Sequence, residues 1–351
     1  MITTSFISSS SLSDETRRSI ARLQSQLVDA QKELATGRHA DVGVTLGATT
    51  GVSVSMRQDL EQIQAIKNSN GLVLGRMDAS QGALKALATN ASSFLSALIA
   101  GGSAATSSET LIQAAQSGMQ TLQDQLNTSL DGQYLFAGIN SDVKPMEDFY
   151  GSPPSAGRQA VTNAFIAKFG FGPDDPAVAN IGPADMQDFI DNEFADLFSP
   201  ASWSSLWSSA SDKPVSSRIS RGEIVNTSVT ANNSTFRNLS EAFVMITGLG
   251  FGSLAAGTQQ VIIDKARDIV ASATGSLTQV QSYLGVTQQR VTSANDQISS
   301  QIDFLTTSIG NLEQVDPAAV TTQLSDISTA LQAAYSITNK INNLTIMDFL
   351  S

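Results

Sequence analysis

Apolar residues recur along much of this chain at alternating gaps of three and four, the spacing that lays one narrow seam along an α-helix. Near the start, Ile20, Leu23, Leu27, Ala30 and Leu34 keep that spacing. Ser13-Asp14-Glu15 supplies a cap and first-turn acids before them. Gly37 supplies the stop, since glycine takes the left-handed conformation after a last turn at little cost. Near the end, Asp316-Pro317 opens a second such helix, with Val320, Leu324, Ile327, Leu331, Ala334, Ile337, Ile341 and Leu344 along its seam. Nothing after Leu350 covers that seam, so the pattern calls for a partner from elsewhere.

The same spacing fills the interior. Ile66, Asn70, Val73, Met77, Ser80, Leu84, Leu87, Ala91, Phe94 and Leu98 mark a long helix in which Asn70 and Ser80 are the polar seam positions. Gly101-Gly102 begins a turn, and Leu111, Ala115, Leu122 and Leu126 continue as the second, antiparallel arm of a hairpin that ends near Leu130. A small-residue loop is expected over residues 38–55. From Ile262 a seam runs through Ala266, Ile269, Ala273, Val280, Leu284, Val291, Ile298, Ile302, Leu305, Ile309 and Leu312, too long for an ordinary globular helix and suited to a coiled coil or rod.

These elements are nested: terminal helix, hairpin, insert, long helix, terminal helix. The fold class expected is mainly α, with nested long helices making a coiled-coil-like rod from both halves of the chain and an inserted mixed α/β outer domain. The expected divisions are residues 1–40 with 313–351 for assembly, 41–140 with 239–312 for the rod, and 141–238 for the insert. A bundle within one monomer would use the terminal seams equally well. The thinness of the seams favours helices that order in an assembly, through an interface of Ile20, Leu23, Leu27, Leu34, Leu324, Ile327, Leu331, Ile341 and Leu344.

The insert differs in composition. Residues 141–238 hold most of the prolines and both tryptophans, and residues 141–200 carry ten acids against three bases. Residues 160–169 and 184–198 read as helical, and residues 215–220 and 224–230 as a hairpin about Arg221-Gly222-Glu223. Trp203, Leu206 and Trp207 share a helical face, which would serve a carbohydrate platform or, as aromatics more often do, the insert's own small core.

Charge and rare residues narrow the functions. The 351 residues leave room for two or three domains, and a net charge of −12 argues against nucleic acid or anionic membrane as partners. Aromatics make up only 6% of the chain, which suits long helices packed through small side chains. There are no cysteines, and the single His39 leaves no multi-histidine metal site and at most one Ser–His pairing. Residues 1–13 carry eight Ser or Thr, no basic residue and no continuous apolar core, which argues against Sec export. The longest apolar run, residues 94–100, is too short to span a bilayer, so no membrane insertion is expected. Gly250-Phe251-Gly252-Ser253-Leu254-Ala255 fits a loose dinucleotide fingerprint but lacks a strand before it, and a turn between helices is the better reading. Asp174-Asp175 and Asp185, Asp188 and Asp191 read as a solvated acidic face without EF-hand spacing. No catalytic constellation, cofactor motif or metal site emerges, and no enzyme is expected.

Several motifs together carry a family likeness. Leu34-Ala35-Thr36-Gly37-Arg38 resembles the segment closing the first helix of flagellins and their relatives. The stretch from Leu312-Glu313-Gln314-Val315-Asp316 through Leu331-Gln332-Ala333-Ala334-Tyr335 to Asn342-Asn343-Leu344-Thr345-Ile346-Met347-Asp348-Phe349-Leu350 resembles their C-terminal signature. Gly132-Gln133-Tyr134-Leu135-Phe136-Ala137-Gly138 is similar to a segment of the hook-associated protein 3 family, which joins hook to filament. Where flagellins carry a paired-Asp segment ending in Pro-Ala, this chain has His39-Ala40-Asp41-Val42-Gly43-Val44, with one Asp. The resemblance implies a secreted structural subunit of the extracellular bacterial flagellum, exported unfolded by the type III route. It implies a chaperone over the C-terminal helix, and a ring of copies between hook-associated protein 1 and flagellin. Flagellin itself is the alternative, and an enzyme or effector on a flagellin-like frame a third reading.

Overall fold

In long helices a polar residue on an apolar seam selects the register, because any other pairing buries it without a partner. The computed structural model describes residues 9–102 and 107–343, with side chains from residue 14 to residue 340. In it Asn70 is fully buried, and its amide donates to Asn295 Oδ1 at 2.8 Å and to the Ile219 carbonyl at 2.9 Å. Ser80, also buried, returns its hydroxyl to the Arg76 carbonyl of the preceding turn. Farther along, Gln81 donates to the Gln281 carbonyl, and Gln288 donates to Asp78. Residue numbers rise on one helix as they fall on the other, so the two run antiparallel.

The elements are α1 (Ser9–Thr36), α2 (Val42–Leu46), α3 (Thr50–Gly101), α4 (Ser108–Leu126), β1 (Ser129–Leu130), β2 (Gln133–Tyr134), α5 (Ala156–Phe169), α6 (Pro183–Asp191), α7 (Glu193–Asp196), α8 (Pro200–Leu206), β3 (Ser216–Arg218), β4 (Ile224–Asn226), α9 (Ser234–Gly248), α10 (Ala256–Glu313) and α11 (Pro317–Asn343). The fold is mainly α, with long helices packed on one another and few strands. It divides into two compact units, one from residues up to 64 with those from 299 onward, the other from residues 65–298.

Several boundaries move from where the sequence places them. α1 begins at Ser9, so Ser13 lies inside the helix and is not its cap. Most of the expected loop of residues 38–55 is helical: Asp41 caps α2 by accepting from the Val44 amide at 3.0 Å, and α3 begins at Thr50. α9 begins at Ser234, capped by Asn233, ahead of the rod boundary expected at residue 239. The α10 seam is also denser than the spacing read from the sequence suggests. Leu277, Thr287 and Ala294 fill its gaps, each buried; Thr287 and Ala294 are small enough to sit where helices approach closely.

In the unit of residues 65–298 the centre is α9. Its residues Phe236, Leu239, Ala242, Phe243, Val244, Met245 and Ile246 are all buried, while Arg237, Asn238 and Glu241 share its one polar side. Phe243 packs against Phe94 of α3 with ring centres 4.8 Å apart. α4 lies along α9 because Gly118 lets Phe243 in: a Cβ there would sit 2.3 Å from the ring. Gly118→Ala is therefore expected to cost about 1–3 kcal/mol by overpacking, read as a lower urea midpoint at unchanged slope.

The aromatic residues of the insert join this same core. Trp203 is fully buried, Trp207 stacks on it at 5.7 Å, and the Trp207 indole donates to the Leu197 carbonyl at 2.9 Å. Those rings pack rather than form a surface platform. β3 and β4 pair as expected, with Ser217 opposite Val225. Gly250 has φ +66° and starts a single 3-10 turn between α9 and α10, with no strand before it, so the dinucleotide reading fails. By length and composition the stretch Val42–Gly101 is apolar enough to cross a bilayer, which the shortness of its longest run obscured. Met77, Leu84, Leu87, Phe94 and Leu98 of that stretch are buried in the protein core.

Candidate assembly interface

Each terminal helix carries one apolar stripe, and a single stripe can cover only one neighbour. α1 and α11 pack against each other, and the stripes meet. Ala30, Val320, Ile327 and Leu331 are buried in a small cluster of their own, with Leu23, Leu27, Leu324 and Val315 half-buried around it. Gln24 donates to the Tyr335 hydroxyl at 2.9 Å, while Val315 donates to the Gly37 carbonyl at 3.2 Å, so the helices are antiparallel. Of the nine residues expected at an interface, the structure thus brings together Leu23, Leu27, Leu324, Ile327 and Leu331, with Ile20 half-buried on α1. Leu34 stands 43% exposed. The side chain of Ile341 and the whole of Leu344 lie outside the described residues.

The pair leaves apolar surface uncovered. Val28 and Leu34 on α1 and Tyr335 and Ile337 on α11 are all exposed, as are Val44, Val52, Val54 and Phe304 in the same unit.

Where α1 ends and α11 begins, two short segments tie the chain to itself. Gly37, at φ +68°, closes α1 by donating to the Glu33 carbonyl. Arg38 then pairs with Gln314 as an antiparallel bridge, and His39 donates to the Glu313 carbonyl at 3.0 Å. Asp316 starts α11 by accepting from the Ala318 amide at 2.8 Å.

Beneath this bridge lies Glu313, its side chain only 3% exposed. Arg57 meets the carboxylate with both Nε and Nη2, one bond to each oxygen, and Ser53 donates to Oε1. Arg38 Nε stands 3.8 Å away. The Arg57 hydrogen bonds hold the carboxyl well below its ordinary range, at about 2, despite burial, which acts in the opposite direction. The same bonds raise Arg57. The seam pattern does not point to this latch. Its signal is the one glutamate, at the end, of a helix rich in Ser, Thr and Gln, with two arginines whose approach only the fold reveals.

The segment of residues 132–138 sits in the other unit. Asp131 and Gly132 both have positive φ, as a two-residue hairpin loop between β1 and β2 requires. Leu135, Phe136 and Ala137 are buried, and Phe136 packs edge-on against Phe236. The Phe136 carbonyl accepts from Ala231, and the Ala137 carbonyl from Ser211. Gly138 has φ +64°, and a Cβ on it would meet the Lys213 carbonyl at 2.5 Å. The segment thus clamps the start of the insert to its end.

Residues 7–141 match the bacterial flagellin N-terminal helical region, and residues 267–350 match the bacterial flagellin C-terminal helical region. The chain belongs to the flagellin-like family. No curated protein matches it significantly. Both matched regions include a terminal helix of the α1–α11 pair, and residues 142–266 lie between them. A flagellin-like chain is a structural subunit that polymerises with copies of itself into extracellular flagella.

Proposed function

We propose that this chain is the junction subunit between hook and filament. Copies of it form a ring that meets hook-associated protein 1 on one side and flagellin on the other. It is exported unfolded by the type III route, with a chaperone covering the C-terminal helix. Residues 1–40 with 313–351 make the subunit contacts, through Ile20, Leu23, Leu27, Leu34, Leu324, Ile327, Leu331, Ile341 and Leu344. Residues 41–140 with 239–312 form the rod, and residues 141–238 face outward.

The observation that carries the junction reading is the Gly132-Gln133-Tyr134-Leu135-Phe136-Ala137-Gly138 segment, which resembles that of the hook-associated protein 3 family and here clamps the two ends of the insert. A minor flagellin would share the nested plan and is the second reading. A deletion strain separates them. The junction role predicts cells with hooks but no filaments, and flagellin monomer shed into the medium. Shortened filaments without shedding would instead identify a minor flagellin.

A further inference from the structure

A cleft of about 440 Å³ opens in the unit of residues 65–298, where the middle of α10, the loop before β3 and the start of α9 meet. That volume lies within the range of small-molecule sites. One wall is a face of α10 that presents Gln279, Val280 and Tyr283. Tyr283 is 48% exposed, and Val286 nearby on the helix is 64% exposed, although Leu277, Leu284 and Val291 on the same helix are buried. Tyr283 thus leaves about half of its surface open at the cleft.

The rest of the lining sets Pro214 and Val229 among polar groups. Asn233 caps α9 with its carbonyl oxygen, which accepts from the Thr235 amide at 3.0 Å and turns the donor half of the side-chain amide away from that bond. Asp212 accepts from Asn232 through Oδ1 at 2.8 Å, and its side chain is exposed. Ser234 adds an exposed hydroxyl. The lining thus combines one carboxylate, two amides and several hydroxyls with one aromatic ring and the apolar Pro214, Val229 and Val280. The carboxylate repels anionic ligands, and no basic residue among the described residues lines the cleft to offset it. Among the described residues no group of three potential ligands could hold a metal ion.

A flat apolar face opposite mixed donors and acceptors suits a ligand with an apolar ring face and hydroxyls around its edge. We propose that this cleft binds a neutral glycan, with one sugar ring against Tyr283 and its hydroxyls bonded to Asp212, Asn233 and Gln279. The sugar-binding aromatic is thus not the buried Trp203–Trp207 pair but a tyrosine on the frame helix.

Saturation-transfer difference NMR on the full-length protein tests this with maltotriose, cellotriose and triacetylchitotriose as probes. At least one should receive saturation at its ring protons. Tyr283→Ala and Asp212→Asn should each weaken that sugar's binding by roughly tenfold, and both exposed positions allow the variants to keep the wild-type circular dichroism spectrum. Tyr335→Ala, in the other unit, should leave binding unchanged. No transfer to any of the three sugars at millimolar concentration overturns the proposal, as does transfer that survives both cleft substitutions. Loss of self-assembly in Tyr283→Ala without sugar binding also overturns it and makes the cleft a contact between copies.

Discussion

Leu331→Asp is expected to stop polymerisation outright. Leu331 is 6% exposed at the centre of a cluster in which, among the described residues, Ala30, Val320, Ile327 and Leu331 are the buried members. Losing the leucine alone costs about 2–5 kcal/mol at a typical core site. An aspartate there must also leave water without a cation to pair with, or take up a proton. A cluster this small has little to offset such a loss, so the α1–α11 pair should come apart. The unit of residues 65–298 has its own, much larger core and should remain folded. Sedimentation and electron microscopy should find monomers under conditions where the wild type forms polymers. Near-ultraviolet circular dichroism, dominated by the tryptophans of the second unit, should stay close to wild type. Polymers forming at the normal rate would show that the pair is not what assembly requires.

The second large effect concerns Glu313 and acid. Its folded-state pKa of about 2 lies below the ordinary 4.5, so the ionised carboxylate stabilises the fold. The sign follows from proton binding: the unfolded chain takes up the proton first as pH falls. The contribution is complete above about pH 4.5 and is lost as pH drops towards about 2. Two and a half pH units correspond to roughly 3 kcal/mol at 1.36 kcal/mol per unit. Glu313→Gln keeps the size of the side chain and removes the charge. Amide exchange in α1 and α11 should therefore quicken by about a hundredfold at pH 6, where the wild type keeps its full contribution. The gap between variant and wild type should close as pH falls towards 2. A gap that stays constant down to that pH would mean that packing, not ionisation, is the variant's defect.

Helix periodicity makes much of this architecture legible in the sequence itself. The seams of α3, α4, α10 and α11 follow from residue spacing, because a helix presents every third or fourth residue to the same neighbour whatever that neighbour is. The stop at Gly37, the start at Asp316 and the hairpin about residues 221–223 rest on backbone chemistry within a few residues. Such local signals need no knowledge of distant chain. Where the local signal is ambiguous, spacing and propensity mislead: Ser13 is a good cap residue in isolation, yet α1 runs through it.

Tertiary structure alone decided what meets what. Spacing shows that Asn70 sits on a seam, but only the packed helices bring Asn295 and the Ile219 carbonyl to its amide. The central place of α9 comes from α4, α5 and α3 closing around it, and its sequence pattern does not say which helices those are. The Glu313 latch joins side chains from residues 38, 53, 57 and 313, and the cleft beside Tyr283 joins α10 to the start of α9. A periodic pattern specifies a face, whereas a site needs several faces at fixed distances, and those distances exist only once the whole chain has packed.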